Sequence, residues 1–253
     1  MPWLRLVALQ VGVLVVLSGC GGDGSAAEND PIDPHDVMAA TEIEVFGVHV
    51  ASNDAPNGEL ETVTEMLRGL LDADGNERAD APLVEAELTG DAVTVLVTLS
   101  DRFISEYDPA SATLVLGGVA SADRMKTMRH IDALIYRHGW SKVFDSLYGI
   151  RVGSDLAYAM DQARGGQFDE VPETYPAHAW YTQSRKGCAY RCQLIEYFFH
   201  VHMTLLGEYE DDEACLALLG VWRTCTPEAL NARDPLAYRA LPAREAGLVD
   251  VAP

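Results

Sequence analysis

The sequence predicts an α+β fold: a small sheet with a helix in the first half and a mainly helical second half. Three observations carry this. Short β-branched runs are confined to the stretch before residue 120, apolar residues at helical spacing dominate from Asp123 onward, and helix caps and glycine stops recur between those helices.

The chain opens with one cation, Arg5, and an apolar run from Leu6 to Leu17 interrupted only by Gln10 and Gly12. This is the build of a secretory signal over residues 1–19, and it falls short of the ~20 apolar residues that cross a bilayer. It ends in Leu17-Ser18-Gly19-Cys20, which resembles a bacterial lipobox. The resemblance implies cleavage before Cys20, a diacylglyceryl group on its sulfur, and attachment to a membrane outside the cytoplasm. Acyl chains contribute about 0.8 kcal/mol per buried CH₂, so no spanning helix is needed. Residues 20–36 form a polar tether of small residues, Asp and Pro that cannot build a core. Gly21 stands where enteric lipoproteins kept at the inner membrane carry aspartate, which points to the outer membrane.

From Cys20 onward 234 residues remain, with 17 Lys and Arg against 39 Asp and Glu, a net charge of −22. Nucleic acid and an anionic lipid surface would both repel such a body, whereas divalent cations would not. One globular domain is expected over 37–253, mixed over 37–120 and helical over 121–253.

Four cysteines accompany Cys20: Cys188, Cys192, Cys215 and Cys225. Outside the cytoplasm an even number reads as two disulfides, with three pairings open. Their spacing matches no common zinc finger, which argues against Zn²⁺. If residues 189–206 and 212–222 form an antiparallel hairpin, Cys192 lies nearer the level of Cys225 than of Cys215, which favours that pairing.

In the mixed part, Ile43 to Val50 is β-rich, Val93, Val95, Val97 and Leu99 alternate as in a half-buried strand, and Thr113 to Leu116 adds a third. Between the first two, Val63, Met66, Leu67, Leu70 and Leu71 share a helical face. In the helical part, Met128 to His138 forms a face expected to stop at Gly139, and Trp140 to Tyr148 a second ended by Gly149. Ser154 caps a third helix, closed by Gly165-Gly166. Residues 167–187 read as a long packed loop. Ala189 to Leu206 reads as a central buried helix, although alternation from Ile195 to Leu205 also permits a strand. Asp211 and Asp212 open a further helix, and Thr226-Pro227 and Asp234-Pro235 each pair an N-cap with proline at the first helical position.

The clearest chemical signal is Leu71 to Asp80, LDADGNERAD, placed between one helix and another starting near Pro82. It resembles an EF-hand loop. Asp72, Asp74, Asn76 and Asp80 put oxygen at positions 1, 3, 5 and 9, and the Arg78 carbonyl serves position 7. Six to eight hard oxygens at about 2.3–2.6 Å are what Ca²⁺ requires. Two positions depart from the pattern: position 6, normally glycine, is Glu77, and position 12, normally a bidentate glutamate, is Leu83. The lost ligand places the expected affinity near ~10⁻⁴ to 10⁻³ M. The competing reading is that these acids only cap and solubilise an interhelix turn.

No catalytic set is convincing. There is no GxSxG, no phosphate-binding glycine loop and no HExxH. His130 with Asp132, and Glu196 with His200, are the pairs worth locating, because Glu196 and His200 stand four apart on one helix. His202 would then face away from His200. The expectation is that Glu196 pairs with Arg or Tyr and that the histidines pack.

Val45-Phe46-Gly47-Val48, the LDADGNERAD loop, Ala179-Trp180-Tyr181, and Cys188 to Gln193 with Glu196-Tyr197 together resemble a group of uncharacterised bacterial secreted proteins. The likeness spans most of residues 43–241, and its motifs imply no named activity. Members often carry Glu-Glu-x-x-His, faintly like a zinc-peptidase helix, where this chain has Arg129-His130-Ile131-Asp132-Ala133. The resemblance therefore implies, as the alternative function, a degenerate hydrolase related to zinc peptidases. The leading expectation is a lipid-anchored protein with a structural calcium loop and a binding or structural role.

Overall fold

The computed structural model describes residues 41–52, 57–98, 112–117 and 123–240; the leader, Cys20 and the tether lie outside the described residues. Strands β1 (Thr41–Val45), β2 (Val48–Ser52), β3 (Thr94–Thr98) and β4 (Thr113–Gly117) form one sheet in the order β1-β2-β3-β4. β1 and β2 are antiparallel, while β2 with β3 and β3 with β4 are parallel. The fold is α+β.

The β-rich run expected as one strand is thus a hairpin. Phe46 and Gly47 both take positive φ, 47° and 80°, the backbone that a two-residue turn between twisted strands demands. Gly47 is required twice over, because a Cβ there would stand 2.5 Å from the Glu85 carbonyl oxygen.

Helices α1 (Asn57–Leu71) and α2 (Pro82–Gly90) make the crossover from β2 to β3. α1 buries Leu60, Val63, Met66, Leu67 and Leu70, and the sheet contributes Val48, Val50, Val95, Val97 and Leu114 to the same core. α3 (Arg124–Ile135) begins at Asp123, whose carboxylate accepts from the Lys126 amide. It does not stop at Gly139 as expected. The chain passes through a π-helical turn, Tyr136–Trp140, into α4 (Ser141–Val143) and α5 (Asp145–Tyr148). Gly139 serves packing instead of termination, since a Cβ on it would meet Val84 Cγ1 of α2 at 2.6 Å.

α6 (Asp155–Arg164) is capped by Ser154 Oγ and closed by Gly165 at φ 76°. α7 (Tyr190–Leu205) is the central helix: from Gln193 to Leu205 every side chain is buried. Burial on all sides explains why the alternating pattern could also be read as a strand. α8 (Asp212–Leu218), α9 (Pro227–Arg233) and α10 (Pro235–Ala240) follow, with Asp211 and Thr226 accepting from helix amides at the first two N-termini. One continuous core joins the sheet, α1 to α3, α6 and α7.

Among the described residues two disulfides are present, Cys188–Cys192 and Cys215–Cys225, with Cα separations of 5.2 and 5.7 Å. This corrects the expected Cys192–Cys225 pairing. That expectation needed a continuous helix over 212–222, but α8 ends at Leu218 and Trp222 bridges to Tyr181 in antiparallel fashion. The turn brings Cys225 back onto α8, and leaves Cys192, in the first turn of α7, to close on Cys188 of the preceding loop.

Candidate functional site

The loop between α1 and α2 gathers three carboxylates. Asp72, Asp74 and Asp80 each offer an oxygen such that all three lie within 4.8 Å of one another. Asp72 is buried and accepts from two loop amides, Asn76 N at 3.0 Å and Glu77 N at 2.9 Å. Asp80 Oδ2 accepts from Ala73 N at 2.8 Å, and its own amide donates to the Leu71 carbonyl at 2.7 Å, so the loop closes across its two ends. Burial raises the Asp80 pKa, with the Asp74 and Asp72 charges acting in the same direction and the Ala73 hydrogen bond opposing them.

Glu77 occupies φ 64° and Gly75 φ 68°. The chain therefore makes the left-handed turn at loop position 6 without the usual glycine, at a cost of roughly 1–2 kcal/mol. Asn76 Nδ2 donates to Asp74 Oδ2 at 2.7 Å, and Asn76 Oδ1 accepts from the Arg78 amide at 2.9 Å. Leu83, at position 12, is 62% exposed in the first turn of α2. A cleft of about 570 Å³, lined by Phe46, Arg68 and Glu77 among others, adjoins the loop.

The titratable pairs nominated by the sequence are scattered. His200 is buried and stacked on Trp222 with ring centres 5.5 Å apart, and its Nδ1 lies 3.1 Å from the Tyr209 hydroxyl. Burial, with the Arg129 charge adding to it, pushes its pKa down to about 3, so it is a neutral packing group. Glu196 turns instead toward Arg129 at 3.6 Å and Arg185 at 3.3 Å. Asp132 pairs with His202 at 2.7 Å inside the core, while His130 lines, with Glu196, a cleft that does not have His200 among its lining residues. The structure brings neither His130 with Asp132 nor Glu196 with His200 into a shared site.

The Ala179-Trp180-Tyr181 and Cys188 to Gln193 segments hold each other. Tyr181 donates to the Gln193 carbonyl at 2.8 Å, and Gln193 Nε2 donates to the Cys188 carbonyl at 3.0 Å. Tyr190 places its ring 5.0 Å from the buried Arg164 guanidinium. These residues brace α6, the long loop and the head of α7, which is scaffold chemistry.

Sequence reasoning missed a concentration of cations. Eight of the chain's 18 Lys and Arg fall within 124–142 and 185–191, and α3 and α7 bring several onto one cleft. Net charge concealed it, because an average over the chain says nothing about where the minority sign gathers. Among the described residues no helix is long and apolar enough to cross a membrane. No protein-family model, curated protein or solved structure matches the chain.

Proposed function

We propose that this chain is a lipid-anchored extracytoplasmic protein whose 72–80 loop holds a structural Ca²⁺ bracing α1 against α2, in a binding or structural role. The observation that carries the reading is the convergence of Asp72, Asp74 and Asp80 oxygens to within 4.8 Å around a backbone turned at Glu77. Three hard, anionic donors suit Ca²⁺ over softer metals. Without a cation they repel one another, so the ion stabilises the loop by screening them. The Cys188–Cys192 and Cys215–Cys225 bridges support an oxidising compartment, and the Leu17 to Cys20 segment supports the lipid anchor.

Isothermal titration of the full chain should reveal one calcium site, absent from a variant carrying Asp72→Ala with Asp74→Ala. No heat at millimolar calcium refutes the metal reading. Mass spectrometry of the native protein should find Cys20 acylated and N-terminal; an uncut leader or a bare thiol refutes the anchor.

A further inference from the structure

We infer that the neighbouring clefts along α3 and the head of α7 bind a small organic anion, recognised through its carboxylate or phosphate oxygens. The first cleft, about 670 Å³, is lined by Lys126, Arg129, Arg137 and Arg185 against the two carboxylates Asp123 and Glu196. The second, about 790 Å³, shares Arg137, Cys192 and Ile195 with it and adds Lys142, Arg151 and Arg191 against Asp145. Among the described residues lining the two clefts, seven cations face three anions, on a chain whose net charge is −21. A random draw from such a composition gives the opposite sign.

Within the clefts the charge is not evenly neutralised. Arg151 is taken by Asp145, and Lys142 by Asp91. Glu196, by contrast, is shared between two guanidiniums, Arg129 and Arg185, so these two cations outnumber the one carboxylate they pair with. Arg129 is fixed in place over the Phe199 ring at 5.0 Å, and its buried Nε makes no hydrogen bond. Arg185 is held near the Cys188–Cys192 bridge, its Nη2 3.5 Å from Cys188 Sγ. Both side chains stay partly exposed, at 40% and 60%. Guanidiniums held in position lose little freedom on binding, and their forked donors match oxyanions.

Size and surroundings limit the ligand. Each cleft has the volume of a small-molecule site, and Met125, Ala133 and Ile195 supply apolar wall for a carbon skeleton. A long polyanion would extend beyond the cations onto a strongly acidic body and be repelled, whereas a compact anion senses only the focused local field.

The test uses the full chain with four probes: benzoate, phenyl phosphate, the uncharged benzyl alcohol, and heparin. Saturable binding of phenyl phosphate alone identifies a phosphate ester as the ligand class. Saturable binding of benzoate as well, or alone, identifies a carboxylate. In either case affinity should fall as sodium chloride rises, and benzyl alcohol should not bind. Arg129→Gln with Arg185→Gln should weaken binding at least tenfold. Because that variant strips Glu196 of both partners, Lys126→Gln with Arg191→Gln serves as the surface test, with at least a threefold loss and unchanged near-ultraviolet dichroism. No saturable signal from either anion at millimolar concentration overturns the inference. So does binding that survives the surface variant, or heparin binding as tightly as the small anions.

Discussion

Gln193 Oε1 accepts a 2.6 Å hydrogen bond from Arg164 Nη1, whose side chain has no exposure to solvent. A buried guanidinium is costly unless most of its donors are met, and here the Phe168 carbonyl and Asp161 take further Nη donors while the Tyr190 ring lies beside the charge, leaving only Nε without a hydrogen bond. Gln193→Ala leaves part of a buried charge unmet. The expected cost is about 2–4 kcal/mol, read as a lower urea midpoint with an unchanged slope. A midpoint equal to the parent's would mean that water replaces the amide and that α7 is less tightly docked than described.

Stability should also depend on pH through His200. Its folded pKa is lowered to about 3 by burial, while in the unfolded chain it titrates near 6.5. Tyr209 and Tyr181 are the titratable groups facing it, and Arg129 is the nearby charge. Below pH 6.5 the unfolded state takes up a proton that the folded state refuses, so stability is lost as pH falls. Between pH 6.5 and 5 the loss amounts to roughly 1.5 kcal/mol from this group. His130, also lowered by burial, acts in the same sense. Denaturation midpoints across that interval should fall less steeply in His200→Gln than in the parent, and parallel slopes would contradict the assignment.

Gly139 tests the packing of the π-helical turn on α2. A Cβ there would meet Val84 Cγ1 at 2.6 Å, and valine has no flexible end that could swing away. Gly139→Ala should therefore destabilise by about 1–3 kcal/mol, although alanine is the better helix former. Adding Val84→Ala removes the obstructing methyl. The double variant should then be more stable than additivity of the two single changes allows.

Local chemistry was legible in the sequence wherever one residue decides the outcome. Ser154 and Thr226 cap the helices they were expected to cap, Asp211 stands at the start of α8 as expected, and Gly165 closes α6 at φ 76°. Gly47 and Gly139 were harder to read, because glycine serves turns, stops and close contacts alike, and only a neighbour such as Glu85 or Val84 distinguishes them. The acidic loop was legible because its donors are adjacent in the chain. The cationic cleft was not, since Arg129 and Arg185, 56 positions apart in the chain, meet on Glu196 through the folding of α3 against α7.

The disulfide pairing can be checked chemically. Arg191 lies between Cys188 and Cys192, and trypsin cleavage there leaves the two halves joined only by sulfur. Trypsin alone keeps Cys192 and Cys215 on one peptide, residues 192–223, so a glutamate-directed cut after Glu196 and Glu213 is also needed. Two linked species are expected, 187–191 with 192–196, and 214–223 with 224–228. A species joining 192–196 to 224–228 would restore the pairing that the helical hairpin had suggested. Replacing both Cys215 and Cys225 by serine should cost about 2–3 kcal/mol, the loop-closure value for a bridge of this span.

The loop offers the sharpest test of its resemblance to an EF-hand. Leu83 stands at position 12 with 62% exposure, so Leu83→Glu sacrifices little core while adding the missing bidentate carboxylate. Calcium affinity should rise at least tenfold in isothermal titration, with one site still present. Glu77→Gly acts on the backbone: at φ 64° glycine avoids the steric cost of a Cβ, worth roughly 1–2 kcal/mol, against a smaller loss from the freer unfolded chain. The metal-free protein should melt higher as a result. The two changes probe different parts of one geometry. If Glu77→Gly stabilises but Leu83→Glu leaves affinity unchanged, the turn is EF-like while the first turn of α2 is aimed away from the ion, and Glu85 becomes the next position at which to remove a carboxylate.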